Sequence, residues 1–418
     1  MTDRVQAAHK YPIGIQTFQK LREDGCLYVD KTELIYNLAY GSGDAYFLSR
    51  PRRFGKSLLP STMQAYFEGR RELFDGLAIA GLETEWPKHP VLRFDLSVVK
   101  TTDPEQLPAL LYRALEPEEA VWGSSPTDTT PGSRLMTLIH RAYGQTGNRV
   151  VVLVDEYDAP LLNVVHDPAR LQTFREVMRE FFAPLKACDS CLRFVFLTGI
   201  TKFSQFSIFS ELNNLKNISL DSRYAAICGI TEDELLAQMA PDLQAFAERL
   251  GITVEEAHDR LKRHYDGYHF CGDSPDIYNP FSLLNALDKG SIEAYWFGSG
   301  TPTSLVNLMR RRDWDIASLE GCVAREVVFD APAERLDSPL PMLYQGGYLT
   351  IKDYDPRRRA YTLGIPNEEV SQGLSESLVQ HAAPEALQEH HGFLDRFETG
   401  GKEEPWGSGN RSCGCRFA

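Results

Sequence analysis

Gly55, Lys56 and Ser57 follow one another inside the stretch SRPRRFGKSLL (49–59). This order suits a loop that wraps a phosphate: backbone N–H groups surround the oxygens, the lysine reaches the β- and γ-phosphates, and the serine hydroxyl ligates Mg²⁺. The stretch follows the short apolar run AYFLS (45–49) and leads into the helical pattern SLLPSTMQAYFEGR, the strand–loop–helix context such a loop requires. Against the general pattern G-x-x-x-x-G-K-[ST], the first glycine is missing, because Arg50 stands there and Pro51 follows with its φ fixed by the ring. Arg50, Arg52, Arg53 and Lys56 supply four cations without an acid between positions 45 and 57, which suits a polyanionic ligand. The whole loop is therefore the candidate ATP site: Arg50, Pro51, Arg52, Arg53, Phe54, Gly55, Lys56, Ser57 and Leu58.

The second half of that chemistry lies in RVVVLVDEYDAP (149–160). A buried apolar strand ending in Asp-Glu places Asp155 beside the metal, so Ser57 and Asp155 are the Mg²⁺ candidates. Glu156 is the candidate to polarise the attacking water. A third strand, RFVFLTGITKFS (193–204), ends in Thr198, which is placed to sense the γ-phosphate, with Thr201 and Lys202 just beyond. The candidate catalytic set is thus Lys56, Glu156 and Thr198.

These residues need a scaffold of alternating strands and helices. Strands are expected at 45–49, 91–97, 149–156 and 193–199, with AAICGI (225–230) a fifth, and helices between them. Continuous apolar runs such as VVVLV suit a parallel sheet covered on both faces. The Ser/Thr/Pro/Gly stretch WGSSPTDTTPGS (122–133) reads as a surface loop. After 230 the pattern turns helical. Thr231 and Glu234 form a capping box before two amphipathic helices, further helices follow at NPFSLLNALDKG and TPTSLVNLMRRR, and PMLYQGGYLTIKDYDPRRRAYTLGIPN reads as a hairpin ending a winged-helix-like unit. The expected fold is α/β: a P-loop NTPase parallel sheet with flanking helices over residues 10–230, then a helical and winged-helix-like lobe over 231–370. The segment 371–418 is expected to be a short helix and a disordered tail.

In order and detail these blocks resemble the bacterial AAA-ATPase-like proteins. The resemblance runs from about residue 10 to 370 through PIGIQTF (12–18), YVDKT (28–32), RPRRFGKSL, VVVLVDEYDAPL, FLTGITKFS, IFSELNNLKNIS (208–219), YAAICGITEDEL (224–235), YDGYHF (265–270), YNPFSLLNAL (278–287), YWFGSGTPTSLV (295–306) and LYQGGYLTIKDYD (343–355). In that family the arginine-rich loop without its first glycine is the usual form. The resemblance implies that Asp30 and Lys31 border the base of the nucleotide and that Asn213 and Asn214 face the site. It also implies a PD-(D/E)XK nuclease-like domain after the ATPase. Here the residues past LGIPNEEVSQGL (363–374) show no strand pair with an acid-x-Lys motif, and Lys402-Glu403-Glu404 has the wrong order, so that domain is expected to be absent or truncated.

Composition narrows the classes. The 418 residues, 43% hydrophobic and 24% charged, have no apolar run of membrane-spanning length and no secretory leader pattern, pointing to a cytoplasmic chain off the membrane. With 44 basic and 58 acidic residues the net charge is −14, which argues against a nucleic-acid coat. One basic island, Arg357–Arg359, keeps nucleic acid open as a partner beside a protein. Cys188 and Cys191 read as reduced, incidental thiols among the eight cysteines, and His269 as a packed histidine. The leading function is an ATP-hydrolysing module that passes its nucleotide state to the C-terminal lobe or a partner. The alternatives are a non-hydrolysing ATP switch, a regulatory ATPase of nucleic-acid processing and a small-molecule kinase, the last disfavoured by a glutamate suited to water. Arg52, Arg53 and Arg223 are the arginine-finger candidates.

Overall fold

The computed structural model describes residues 9–202, 215–298, 319–325, 328, 331 and 339–381. The expected roles of Asn213 and Asn214, the helix at 301–312 and the acid-rich Lys402 site lie outside them. The described residues up to Gly373 form one compact unit, and Leu374–His381 belong to a second.

Five parallel strands form the central sheet: β1 (Ala45–Ser49), β2 (Val91–Asp95), β3 (Val150–Asp155), β4 (Leu192–Gly199) and β5 (Leu215–Asn217). Their spatial order is β2-β3-β4-β1-β5. Every residue of β3 is buried, as a central strand covered on both faces must be. The order inserts β4 between β1, which leads into the Gly-Lys-Ser loop, and β3, which ends in Asp-Glu. In register, Leu48 of β1 lies beside Thr198 of β4, and Asp95 of β2 beside Asp155 of β3, so the candidate residues gather at the carboxyl ends of the strands. This is the P-loop NTPase arrangement, and ligands of open α/β sheets bind at that edge.

Two strand expectations need correction. β2 stops at Asp95, because its carboxylate accepts the Ser97 amide at 2.9 Å and turns Leu96–Val98 into a 3₁₀ turn. The fifth sheet strand is Leu215–Asn217, not 225–230. Most of that apolar segment is turn, since Gly229 adopts φ +89° and a Cβ there would lie 2.2 Å from Ile277. Only Ile230–Thr231 (β6) pairs, antiparallel with Ile277–Tyr278 (β7). The loop at 122–133 is also shorter than expected. Trp122 ends one helix, and Thr130 caps the next, Pro131–Thr146, in a box with Ser133.

The helical stretch after β6 contains three helices rather than two, Glu232–Gln238, Ala240–Leu250 and Val254–Tyr265, and the Thr231–Glu234 capping box is present. Together with Pro280–Lys289 they close a core around Leu235, Leu243, Phe246, Leu261 and Leu283, which also receives Tyr11. The hairpin β9 (Thr350–Asp355)–β10 (Ala360–Gly364) pairs with β8 (Cys322–Arg325) in a three-stranded antiparallel sheet, preceded by the helix Leu340–Gly346. No helix among the described residues is long and apolar enough to cross a membrane.

Candidate functional site

The loop between β1 and the helix Leu58–Phe67 turns by means of two left-handed residues, Arg53 at φ +65° and Gly55 at φ +87°. Gly55 adopts that conformation at no steric cost. Lys56 is buried, and its ammonium donates to the Pro51 carbonyl at 2.8 Å, folding the loop over itself. Burial pulls the Lys56 ammonium below its ordinary range, against the attraction of Glu156, Asp155 and Asp158. Three carboxylates and the Pro51 carbonyl thus act on the Lys56 ammonium.

Asp155 closes β3 and is almost fully buried. Burial raises its carboxyl, opposed first by a hydrogen bond with the Ser57 hydroxyl and then by Lys56. Glu156 turns out of the strand at φ +48°, a conformation rare for a residue with a side chain and one that tends to be kept at functional sites. Its carboxyl is raised by burial and lowered by Lys56. A cavity of about 570 Å³ opens here, lined by Arg52, Arg53, Lys56, Ser57, Lys100 and Glu156. Its other wall comes from Pro12–Gln16 and from Pro280, Phe281 and Leu284. A smaller apolar cavity of about 100 Å³ adjoins it through Pro12, Gly55, Leu58, Pro280 and Leu284, and adds Tyr28, Lys31 and Cys228.

Lys56, Ser57, Asp155 and Glu156 are thus brought together as expected from their motifs. Arg50 is placed elsewhere. Its guanidinium is buried behind the loop, donates to the carbonyls of Ser49, Ser219 and Tyr224 at 2.9, 2.8 and 3.2 Å, and stacks 4.1 Å from the Phe270 ring. Phe54 also points inward, edge-on to Tyr268 and Phe270. Pro51 contributes its carbonyl, and the Arg52 carbonyl accepts the Trp296 indole N–H at 3.0 Å. Arg53 is exposed and lies over Phe281. Arg223 is engaged by Asp221 at 2.6 Å. Thr198 is fully buried, and its hydroxyl has no hydrogen-bond partner among the described residues.

Of the residues the resemblance sets beside the base, Asp30 accepts the Thr32 amide and hydroxyl and the Ala78 amide. Lys31 lines the small cavity and pairs with Glu234. His269 pairs with Asp276 at 2.9 Å, and Cys188 lies 3.5 Å from His140. Arg357, Arg358 and Arg359 sit exposed at the β9–β10 tip, where Asp355 accepts the first two backbone amides.

Sequence reasoning gave no role to Asp158, Lys100 or the wall at 12–16. Asp158 carried a signal, its place three residues after Asp155 in the same motif; Lys100 carried none, because only the turn after β2 brings it to the cavity.

Among the described residues no cluster of three or more His, Cys, Asp or Glu could hold a metal alone. The donor set of Ser57 hydroxyl and Asp155 carboxylate fits Mg²⁺, which takes few protein ligands and completes its shell with water and phosphate oxygens.

A family model described as AAA-ATPase-like, predicted AAA-ATPase, matches residues 12–209. An uncharacterized protein encoded in the vnfD 5′ region of Azotobacter chroococcum mcd 1 is 39% identical over 383 residues, covering 90% of this chain and 71% of that protein. The solved ORC2 protein of Aeropyrum pernix, in ADPNP and ADP complexes, is similar at 12% identity over 87% of this chain and 94% of its own, with a TM-score of 0.27, too distant a likeness to carry weight.

Proposed function

This chain belongs to the predicted AAA-ATPase-like family, and from that premise we propose that it binds ATP with Mg²⁺ in the 570 Å³ cavity and hydrolyses it. The observation that carries the proposal is the meeting of Lys56, Ser57, Asp155 and Glu156 at the carboxyl edge of β1 and β3, with β4 between them. The amides of the loop and of the first turn of Leu58–Phe67 would cradle the phosphates, helped by the helix dipole. Lys56 would exchange the Pro51 carbonyl for β- and γ-phosphate oxygens. Ser57 and Asp155 would hold Mg²⁺, which neutralises charge on the β- and γ-oxygens when bound. Glu156 would orient the attacking water and take its proton, and Thr198 would report the γ-phosphate from the tip of β4. Arg52 and Arg53 line the cavity as cations, while Arg50 and Phe54 support the loop from behind. The adjoining apolar cavity with Tyr28 and Lys31 suits a base.

We further propose that residues 10–230 are the nucleotide-binding part and 231–370 the lobe that responds, with the work done in the cytoplasm on behalf of a protein or nucleic-acid client. Support for a response comes from the second half's grip on the loop: Trp296 holds the Arg52 carbonyl, and Tyr268 packs on Phe54. The same grip favours the second reading, an ATP-binding switch without turnover. Titration calorimetry with ATP and Mg²⁺ tests the shared step. Wild type should bind, and Lys56→Ala should lose roughly tenfold or more of the affinity, as expected for a charge-assisted contact; equal affinities would make the phosphate-loop assignment wrong.

A further inference from the structure

Asp158 is 1% exposed, and its two carboxylate oxygens differ in their surroundings. Oδ2 accepts three hydrogen bonds, from the Ile200 amide at 3.1 Å and from the Thr201 amide and hydroxyl at 2.7 Å each. Oδ1 has no hydrogen-bond partner among the described residues, and a Cβ on Gly199 would come within 2.3 Å of it. A buried carboxylate oxygen without a partner is costly, so the fold keeps this one against a penalty. Tyr157 adds two bonds to the same turn. Its amide donates to the Thr198 carbonyl at 3.0 Å, and its hydroxyl to the Thr201 carbonyl at 3.0 Å. The turn that leaves β4 is thus fastened to the end of the Asp-Glu strand.

The far side of that turn is fastened to a distant helix. The Lys202 amide donates to Gln345 Oε1 at 2.8 Å, and Gln345, itself buried, donates to the Ala331 carbonyl at 3.0 Å. Gln345 belongs to the helix Leu340–Gly346, which ends at Gly347. A Cβ on Gly347 would lie 2.6 Å from Pro51 Cβ, so the helix end abuts the phosphate loop. Pro51 in turn holds Lys56. The contacts close a ring: phosphate loop, helix end, Gln345, Lys202 turn, Asp158, and back to β3 beside Asp155.

We infer that Asp158 is a positioning residue that sets the Gly199–Lys202 turn and, through the Lys202–Gln345 hydrogen bond, locks it to the helix Leu340–Gly346, so that the two answer the nucleotide together. The response to nucleotide rests on the ATP-binding proposal; the lock itself does not. The pairing predicts how two substitutions differ. Asp158→Asn keeps one oxygen for the three donors and places an amide where Oδ1 is unpaired, whereas Asp158→Ala removes every acceptor.

Hydrogen exchange of the full chain without nucleotide tests the lock. Asp158→Ala should raise exchange about tenfold or more both at 199–202 and in the helix 340–346, and Asp158→Asn should leave both segments near wild type. Gln345→Ala, which breaks the ring from the other side, should raise exchange at 199–202. If Asp158→Ala fails to fold, the Gln345→Ala arm decides alone. Exchange that rises only in the segment next to the substitution overturns the inference. With ATP present, Asp158→Ala should lower kcat about tenfold with KM little changed, and Asp158→Ala/Gln345→Ala should be no slower than Asp158→Ala by itself. Multiplying losses would contradict the shared lock. A wild type that neither binds nor turns over ATP would count against the ATP proposal and leave the exchange result to stand on its own.

Discussion

Lys56 and Glu156 face one cavity with opposite responses to burial: the ammonium is pushed down and the carboxyl pushed up, each drawn back by the other. A base with a raised carboxyl holds its proton at pH values where a free glutamate has lost it. Activity of the unliganded site then falls on acidification at a higher pH than the ordinary carboxylate range, and the limb belongs to both Asp155 and Glu156, since both are raised and Asp155 adds to the rise of Glu156. A profile of kcat/KM against pH, which reports the free enzyme, should therefore show its acid limb above about 4.5, the usual value for glutamate; a limb at or below that value contradicts this account of the pair. The principal residues were legible because a phosphate loop and an Asp-Glu strand are local patterns with a mechanism attached. Asp158 was written in the same motif, but its role is set by Ile200 and Thr201 on another strand's exit turn, which no spacing rule reveals.

β1, β3 and β4 could be read to within a residue at either end, since long buried runs of β-formers leave few alternatives. β5 could not. It is three residues long, half-exposed, and formed by pairing with β1 rather than by its own pattern. The tempting apolar run downstream fails as a sheet strand because Gly229 turns the chain. A glycine also sets the junction between the helix Leu340–Gly346 and the loop. Gly347 sits at φ +87° with Pro51 against the place a Cβ would take. Gly347→Ala should cost about 1–3 kcal/mol through strain and collision, read as a lower midpoint in urea. Gly81→Ala makes a fair control, since its Cβ meets nothing within 4 Å and its φ is not left-handed, and it should shift stability by less than about 0.5 kcal/mol. Equal effects would mean that the junction is not tightly packed.

Across the whole molecule, buried acids tie together segments that are remote in sequence. Glu369 accepts the Ser282 hydroxyl and the Trp296 amide, and its carboxyl is pushed up to about 7. Burial likewise lifts Asp266, in the YDGYHF block, to about 7, with Asp276 and Glu232 adding to the rise and Lys262 and the Gly267 amide opposing it. A carboxyl raised in the folded state favours the fold while protonated. That contribution is complete below the unfolded value near 3.8 and is lost as pH rises through about 7. Asp266→Asn, which cannot ionise, should therefore stabilise the protein at pH 8 by roughly 2–4 kcal/mol, because each tenfold change in proton affinity is worth about 1.4 kcal/mol, and by clearly less at pH 5. Thermal melts at the two pH values check this, and a gain independent of pH refutes the assigned charge state. None of these long-range pairs could be read from the chain, because their partners meet only once the helical half has folded. The net charge of −14 was legible, yet it concealed a phosphate loop with four cations and no acid.

ATP turnover and ATP affinity, measured on the same preparations of wild type and Glu156→Gln, test the central claim most directly. Steady phosphate release by wild type, lowered about 10²-fold or more in Glu156→Gln with affinity retained, is the predicted result. Equal turnover in the two proteins, with both binding ATP, would contradict hydrolysis through Glu156.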